Sequence, residues 1–273
     1  MSTLVSEDKR LVVTSLQEAI LTITLNHPED GNALTVAMTE ALSDELERIN
    51  SRRDIRCVLL RSSSAKHFCT GGNVKDMQSG TDLMDGSVAD IRDRLHDSLH
   101  RITRALSNME IPTVCAVNGT AVGAGFDLSL MCDIRIAGQS AVFAESFLRL
   151  GLVSGIGGAW FLSRIVGPAK ALELSLTSQF IDADEAYRLG IVTKVVPSDK
   201  LDAEALELAR RVCAHPPRAA RMAKNLVRES AESSLSVALE LAASMQAILL
   251  AGHEHKEAVT RFNTSKTAQK ENR

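Results

Sequence analysis

Aromatic side chains are scarce in this chain: 3% of 273 residues, with one Trp and one Tyr. That leaves little from which to build a base-stacking platform or an aromatic carbohydrate groove. Excess positive charge is missing too. A formal net charge of −3 provides neither a field for gathering nucleic acid nor a polybasic membrane patch. The five cysteines (Cys57, Cys69, Cys115, Cys132 and Cys213) form no CxxC pair and are odd in number. This argues against a disulfide framework or a zinc site and for a reducing compartment. No apolar run approaches the roughly 18 residues that span a bilayer. The opening MSTLVSEDKRLVV carries early acids without the long apolar core of a signal peptide. The expectation is a cytoplasmic protein with no nucleic-acid, membrane or metal partner.

What is present is ordinary for a globular protein, 45% hydrophobic and 24% charged residues, with length enough for one large core or a domain plus an appendage. Residues 11–25 read as two short strands joined at Gln17-Glu18, followed by a turn-rich loop to Asn32. Thr35 is placed to cap a helix running to about Asn50, with Met38, Leu42, Leu46 and Ile49 at helical spacing. Residues 55–61 read as a buried strand, 62–76 as a loop and 82–109 as a charged helix. Further strands are expected at 134–137, 141–143 and 191–196, and helices from Ala159, from Pro168 and over 182–189, the last closed by Gly190. From Leu201 every segment reads as helix, broken at His215-Pro216-Pro217 and near Gly252. Alternating strands and helices predict an α/β fold with a mostly parallel sheet over residues 1–196, and a helical region over 197–273.

The stretch around which the rest is organised is Ile111 to Asp133, IPTVCAVNGTAVGAGFDLSLMCD. A buried strand runs into the small-residue segment Asn118–Gly125 and then into an amphipathic helix. That arrangement points free backbone N–H groups into a pocket where an anion is stabilised. A second small-residue loop, His67-Phe-Cys-Thr-Gly-Gly-Asn-Val-Lys-Asp76, also follows a buried strand. Two such loops suggest two N–H donors converging on one oxygen, the requirement of an oxyanion hole.

HFCTGGNVKDM resembles the first oxyanion-hole motif of the crotonase (enoyl-CoA hydratase/isomerase) superfamily, and PTVCAVNGTAVGAGFDLSLMCDIRIA resembles its second. LNHPEDGNAL, LGLVSGIGGAWFLSRIVG and EAYRLGIVTKVV match further segments in the family's order, over nearly the whole chain. The resemblance implies a spiral of ββα units with a C-terminal helical region used for oligomerisation, as trimers or dimers of trimers. It implies an acyl-CoA thioester substrate, coenzyme A being part of the substrate and no separate cofactor being needed. By position, the N–H groups of Gly72 and Ala124 would hold the thioester oxygen. Ala33, Leu34, Lys75, Gly71 and Gly123 would lie near the CoA moiety, and Lys266, in a Phe-x-x-x-Lys pattern after Phe262, would reach a CoA phosphate. Phe147 would line the same substrate site.

Proton transfer is where the chain departs from that pattern. Hydratases of the family use two glutamates. The first position aligns with Asp127, one methylene shorter, and the second with Phe147, which neither holds water nor moves a proton. Ser154-Gly155-Ile156 occupies a loop where isomerase-like members often carry an Asp, and it has no acid; Gly155 stands where a related branch has a dehalogenase nucleophile. Glu145 is the remaining acid nearby. If its segment is extended, residues 145 and 147 share a face and Glu145 substitutes for the missing acid; if it is helical, Glu145 points elsewhere. His96 and His100 at i, i+4 have no third ligand suggested, and His253-Glu254-His255 lacks the second His of a zinc-protease motif. Cys69 would need a base that the sequence does not supply. The sequence therefore predicts an enzyme that hydrates or isomerises an enoyl-CoA, with Asp127 as acid/base and Glu145 as helper. The alternative is a non-catalytic or weakly active acyl-CoA-binding paralogue.

Overall fold

The computed structural model describes residues 10–271, with side chains to residue 264. Val12–Gln17 (β1) and Ile20–Leu25 (β2) form a hairpin whose turn residues Glu18 and Ala19 both take positive φ, the geometry that matches the twist of paired strands. Thr35 accepts a hydrogen bond from the Met38 N–H and opens Val36–Ile49 (α1), which buries Met38, Leu42, Leu46 and Ile49 on one face. Cys57–Ser62 (β3), His67–Cys69 (β4), Val74–Ser79 (α2), Val88–Asp97 (α3) and Leu99–Ser107 (α4) follow. Thr113–Val117 (β5), Thr120–Val122 (β6), Ala124–Leu130 (α5), Ile134–Gly138 (β7) and Val142–Ala144 (β8) form the centre of the chain. A 3-10 turn at Phe147–Leu150 leads to Gly158–Val166 (α6), Pro168–Thr177 (α7), Ile181–Asp182 (β9), Ala183–Arg188 (α8) and Lys194–Val196 (β10). The rest is helical: Leu201–Cys213 (α9), Pro217–Ser230 (α10), Leu235–Leu250 (α11) and His253–Glu271 (α12).

The strands build two sheets. The larger has the order β1-β2-β3-β5-β7-β10 and is parallel apart from the β1–β2 hairpin. The smaller has the order β4-β6-β8-β9, parallel except at β9. Each of the pairs β3–β4, β5–β6 and β7–β8 gives its first strand to the large sheet and its second to the small one, the repeating step of a spiral. The small sheet corrects the sequence reading, which treats residues 62–76 and 118–125 as loop. β4 and β6 are three residues each, held by neighbours rather than by any periodicity of their own. A second correction falls at Ser98, where the helix expected over 82–109 divides into α3 and α4. The Ser98 hydroxyl donates to the Arg94 carbonyl at 2.6 Å, and its backbone (φ −119°, ψ −80°) leaves the helical region.

Alternation along the large sheet sorts its side chains between two cores. Leu21, Leu60, Cys115, Val117 and Ala137 face the main core with α1, α4 and α5. Ile20, Cys57, Leu59, Val114, Ala116 and Ile136 face α9, which meets them with Leu201, Ala205 and Ala209. β5, buried at all five positions, is covered on both sides. α10 docks by charge instead. Lys224 pairs with Asp133 at 2.7 Å, Arg228 bonds the other Asp133 oxygen at 2.7 Å, and the buried Arg221 donates to the Arg52 and Ile55 carbonyls. α11 buries no residue and exposes Leu235, Val237, Leu239, Ile248 and Leu250. Among the described residues no single helix is long and apolar enough to cross a membrane.

Candidate active site

Both small-residue loops leave the small sheet at neighbouring strands, β4 and β6, and so arrive side by side. The first is pinned from the N-terminal segment. The fully buried Asn32 donates to Ser62 Oγ at 2.7 Å and to the Phe68 carbonyl at 3.0 Å, while its own Oδ1 accepts from the His27 N–H. Thr70 N–H donates to the Gly31 carbonyl, and Leu34 N–H to the Gly71 carbonyl at 2.7 Å. The second loop is pinned by Gly123 N–H on the Ala144 carbonyl at 2.9 Å. The loops touch at Gly71, where φ is +83° and a Cβ would stand 2.7 Å from the Val122 carbonyl oxygen and 3.1 Å from the Ala124 nitrogen. Only glycine fits there.

Ala124 is the first residue of α5, so its N–H has no partner within the helix. Among the described residues neither the Gly72 nor the Ala124 N–H donates to a protein carbonyl or side chain. Met77 Cε lies against Gly72 where a side chain would otherwise project. Ala33 and Leu34 are buried, joined to the first loop through the Leu34 N–H, and Lys75 is 85% exposed beside Asp30 at 3.4 Å. The side chain of Lys266 lies outside the described residues.

The acid end of the site is on the first turn of α5. Asp127 is 0% exposed and Glu145 4% exposed. Glu145 lies between β8 and the 3-10 turn, neither in regular strand nor in helix, and its carboxyl meets that of Asp127 in hydrogen-bonding contact. Ser154 Oγ donates to Asp127 Oδ2 at 2.6 Å, and the Gly158 N–H donates to Ser154 Oγ at 2.9 Å. A Cβ on Gly158 would overlap the Asp127 carboxyl, so this close approach requires glycine. Asp127 Oδ1 and Glu145 Oε1 are buried and no donor reaches them from the described residues. Two carboxylates cannot bond each other, so a shared proton is the donor that satisfies the pair. Burial raises Asp127 to about 6 against the opposing effect of its hydrogen bonds, while burial and then the Asp127 charge raise Glu145 further still.

Phe147 packs beside the second loop, its ring 3.7 Å from where a Gly123 Cβ would be. The loop at 154–156 is held from α4, with His100 Nε2 donating to the Gly155 carbonyl and Thr103 Oγ1 to the Ile156 carbonyl, each at 2.8 Å. His96 and His100 stack edge-on at 4.8 Å, and no cluster of three metal-ligating side chains occurs among the described residues. Cys69 is buried with its thiol donating to the Asn32 carbonyl at 3.0 Å, and burial pushes it up to about 12, leaving no thiolate for nucleophilic work. A cavity of about 1060 Å³ between α6 and α10, lined by Trp160, Ile165, Ala220 and Val227 among others, contains none of these residues.

The structure thus brings together Gly71, Gly72, Gly123 and Ala124 at one end and Asp127 and Glu145 at the other. Sequence reasoning misses Ser154 as a partner of Asp127, because it weighs residues 154–156 for acids alone. The available signal is weak, a hydroxyl in the Gly-rich turn ahead of a helix start where free N–H groups seek acceptors.

The sequence model of the enoyl-CoA hydratase/isomerase family matches residues 15–272. The chain is 32% identical to the 2,3-dehydroadipyl-CoA hydratase of Escherichia coli over 257 residues, 94% of this chain and 96% of the relative. It is 30% identical to the 1,2-epoxyphenylacetyl-CoA isomerase of the same organism over 258 residues, 94% of this chain and 97% of that relative. The crystal structure of the enoyl-CoA hydratase from Bacillus anthracis superposes with a TM-score of 0.86 at 27% identity, over 93% of this chain and 96% of that one.

Proposed function

The chain belongs to the enoyl-CoA hydratase/isomerase family, and we propose that it isomerises the double bond of an enoyl-CoA thioester rather than adding water across it. The observation that carries this reading is the placement of the acids. Asp127 and Glu145 converge as one buried pair, while the position aligned with the second hydratase glutamate is the apolar ring of Phe147. Addition of water needs a group to hold and deprotonate it. A 1,3-proton shift needs one base that gives back what it takes.

In this reading the thioester oxygen accepts hydrogen bonds from the Gly72 and Ala124 N–H groups. The CoA portion runs past Gly71, Gly123, Ala33, Leu34 and Lys75 to the surface, and the acyl chain passes Phe147. The Asp127 carboxylate takes a proton from the α-carbon of a 3-enoyl ester. The electron pair of that C–H bond moves into a dienolate whose charge rests on the thioester oxygen. The same proton returns to the γ-carbon, the double bond now lies between the α- and β-carbons, and Asp127 is again ionised. Coenzyme A is part of the substrate and no further cofactor is required. Preorganised donors aimed at the developing oxyanion contribute about 3–4 kcal/mol each in water-excluded sites.

We also assign the chain to the cytoplasm and to a homo-oligomer, a trimer or a dimer of trimers, with the exposed apolar side chains of α11 as contact surface; their number supports this reading. The decisive experiment is incubation of the purified protein with short and medium 3-enoyl-CoA and 2-enoyl-CoA esters. Interconversion of the two without 3-hydroxyacyl-CoA is the expected result. Accumulation of the hydroxy ester as main product overturns isomerisation in favour of hydration. Absence of any turnover with acyl-CoA binding intact identifies a binding paralogue.

A further inference from the structure

We propose that Ser154 is a positioning residue that fixes which member of the buried carboxyl pair is ionised, holding the charge on Asp127 and leaving the proton on Glu145. The inference rests on the reading of Asp127 as the base, and it adds what makes Asp127, not Glu145, available for that role.

A serine hydroxyl has one proton to give and two lone pairs to accept with. The Gly158 N–H, at the start of the nine-residue α6, occupies one lone pair of Ser154 Oγ at 2.9 Å. The hydroxyl proton has a single acceptor among the described residues, Asp127 Oδ2 at 2.6 Å. Asp127 Oδ2 is therefore an acceptor. Glu145 has no donor from any other side chain or backbone group among the described residues and is buried to 4% exposure. Of two buried carboxyls that share a proton, the one with a donor from outside the pair is the better place for the charge, and the one without holds the proton.

The position of Ser154 is itself determined from outside. The next two carbonyls, of Gly155 and Ile156, are held by His100 and Thr103 of α4, and Gly158 admits the Asp127 carboxyl by having no side chain. The groups that face Asp127 are accordingly few. Glu145 comes from the end of β8, Ser154 and the Gly158 N–H come from the approach to α6, and from α4 His100 stops at the Gly155 carbonyl. No Lys or Arg acts on the pair; the donors from outside it are the Ser154 hydroxyl and the Gly158 N–H, both on the Asp127 side, and only the first is a side chain.

The test reads protonation directly, by infrared difference spectroscopy of carboxyl stretches on the full chain without substrate, alongside the pH dependence of kcat/KM. At neutral pH the protonated-carboxyl band of the wild type is expected to vanish in Glu145→Gln and survive in Asp127→Asn; the reverse pattern overturns the assignment. Ser154→Ala removes a hydrogen bond to a charged group and is expected to move the titration of Asp127, and with it the acidic limb of kcat/KM, upward by about one to two pH units. Ser154→Thr, which keeps the hydroxyl, should restore both. A Ser154→Ala protein that titrates like the wild type sinks the proposal. If Ser154→Ala does not fold, the wild-type band assignment decides alone. Shifted carboxyl titration with no turnover of any enoyl-CoA ester leaves this inference standing while the isomerase reading fails.

Discussion

The two ends of the site are built by different means. At the thioester end the functional groups are backbone N–H donors, presented by two loops that leave adjacent strands of the small sheet and meet at Gly71. At the acid end they are side chains gathered from α5, the end of β8 and the loop before α6, and their protonation is set by who donates to whom. A backbone donor is fixed once the loop is fixed. A buried carboxyl pair is one hydrogen bond away from a different charge state. In the proposed reading the first end specifies where charge develops, and the second decides which proton moves.

The largest effect expected from breaking this contrast is at the acid end. Asp127→Asn should lower kcat by about 10²–10⁴, the usual contribution of a positioned acid/base, while leaving acyl-CoA affinity within a few-fold. Retained turnover in steady-state assays would remove Asp127 from the mechanism. The thioester end is tested by Ala124→Pro, since proline is tolerated at the first helical position, removes the N–H and puts its Cδ where the oxygen would accept from it. A loss in kcat of about 10²–10³ is expected, with far-ultraviolet circular dichroism unchanged; an unaffected rate would mean the oxygen binds elsewhere.

The pair also has a stability signature. Asp127 is raised to about 6 in the fold, so the folded state holds a proton that the unfolded chain gives up. The stabilising effect of that proton is complete below the ordinary Asp range and is lost as pH rises through about 6, on the order of 3 kcal/mol at most. Thermal melts of Asp127→Asn against wild type should therefore diverge in favour of the variant between about pH 4 and 6. Parallel curves would argue against a buried pair. The smallest effect is the most specific. Phe147→Glu should raise the share of 3-hydroxyacyl-CoA in the product by up to about tenfold, read by chromatography of reaction mixtures.

Much of the scaffold is legible in the sequence because it is set by local chemistry. The Thr35 cap, the apolar spacing of α1 and Gly190 after α8, with φ +76°, are residues whose preferences match their positions. β4, β6 and β9 escape such reading, being two or three residues long and strands only because neighbours pair with them. The break in the helical tail at 231–234 also goes unread, since no proline or glycine marks it. At the site, the glycine loops announce the thioester end. The acid end is opaque for a different reason: Glu145 and Ser154 reach Asp127 from 18 and 27 residues further along the chain, the first brought in by the pairing of β8 with β6 and the second by the packing of α6 on α5.

α11 carries a consequence for the chain as a solute. Its five exposed Leu, Val and Ile side chains are each worth about 1.5–3 kcal/mol on transfer out of water. If a second copy covers them, as proposed, association draws the equilibrium toward the folded state by mass action, and the melting temperature should climb with protomer concentration and fall on dilution with the buried carboxyl pair unchanged.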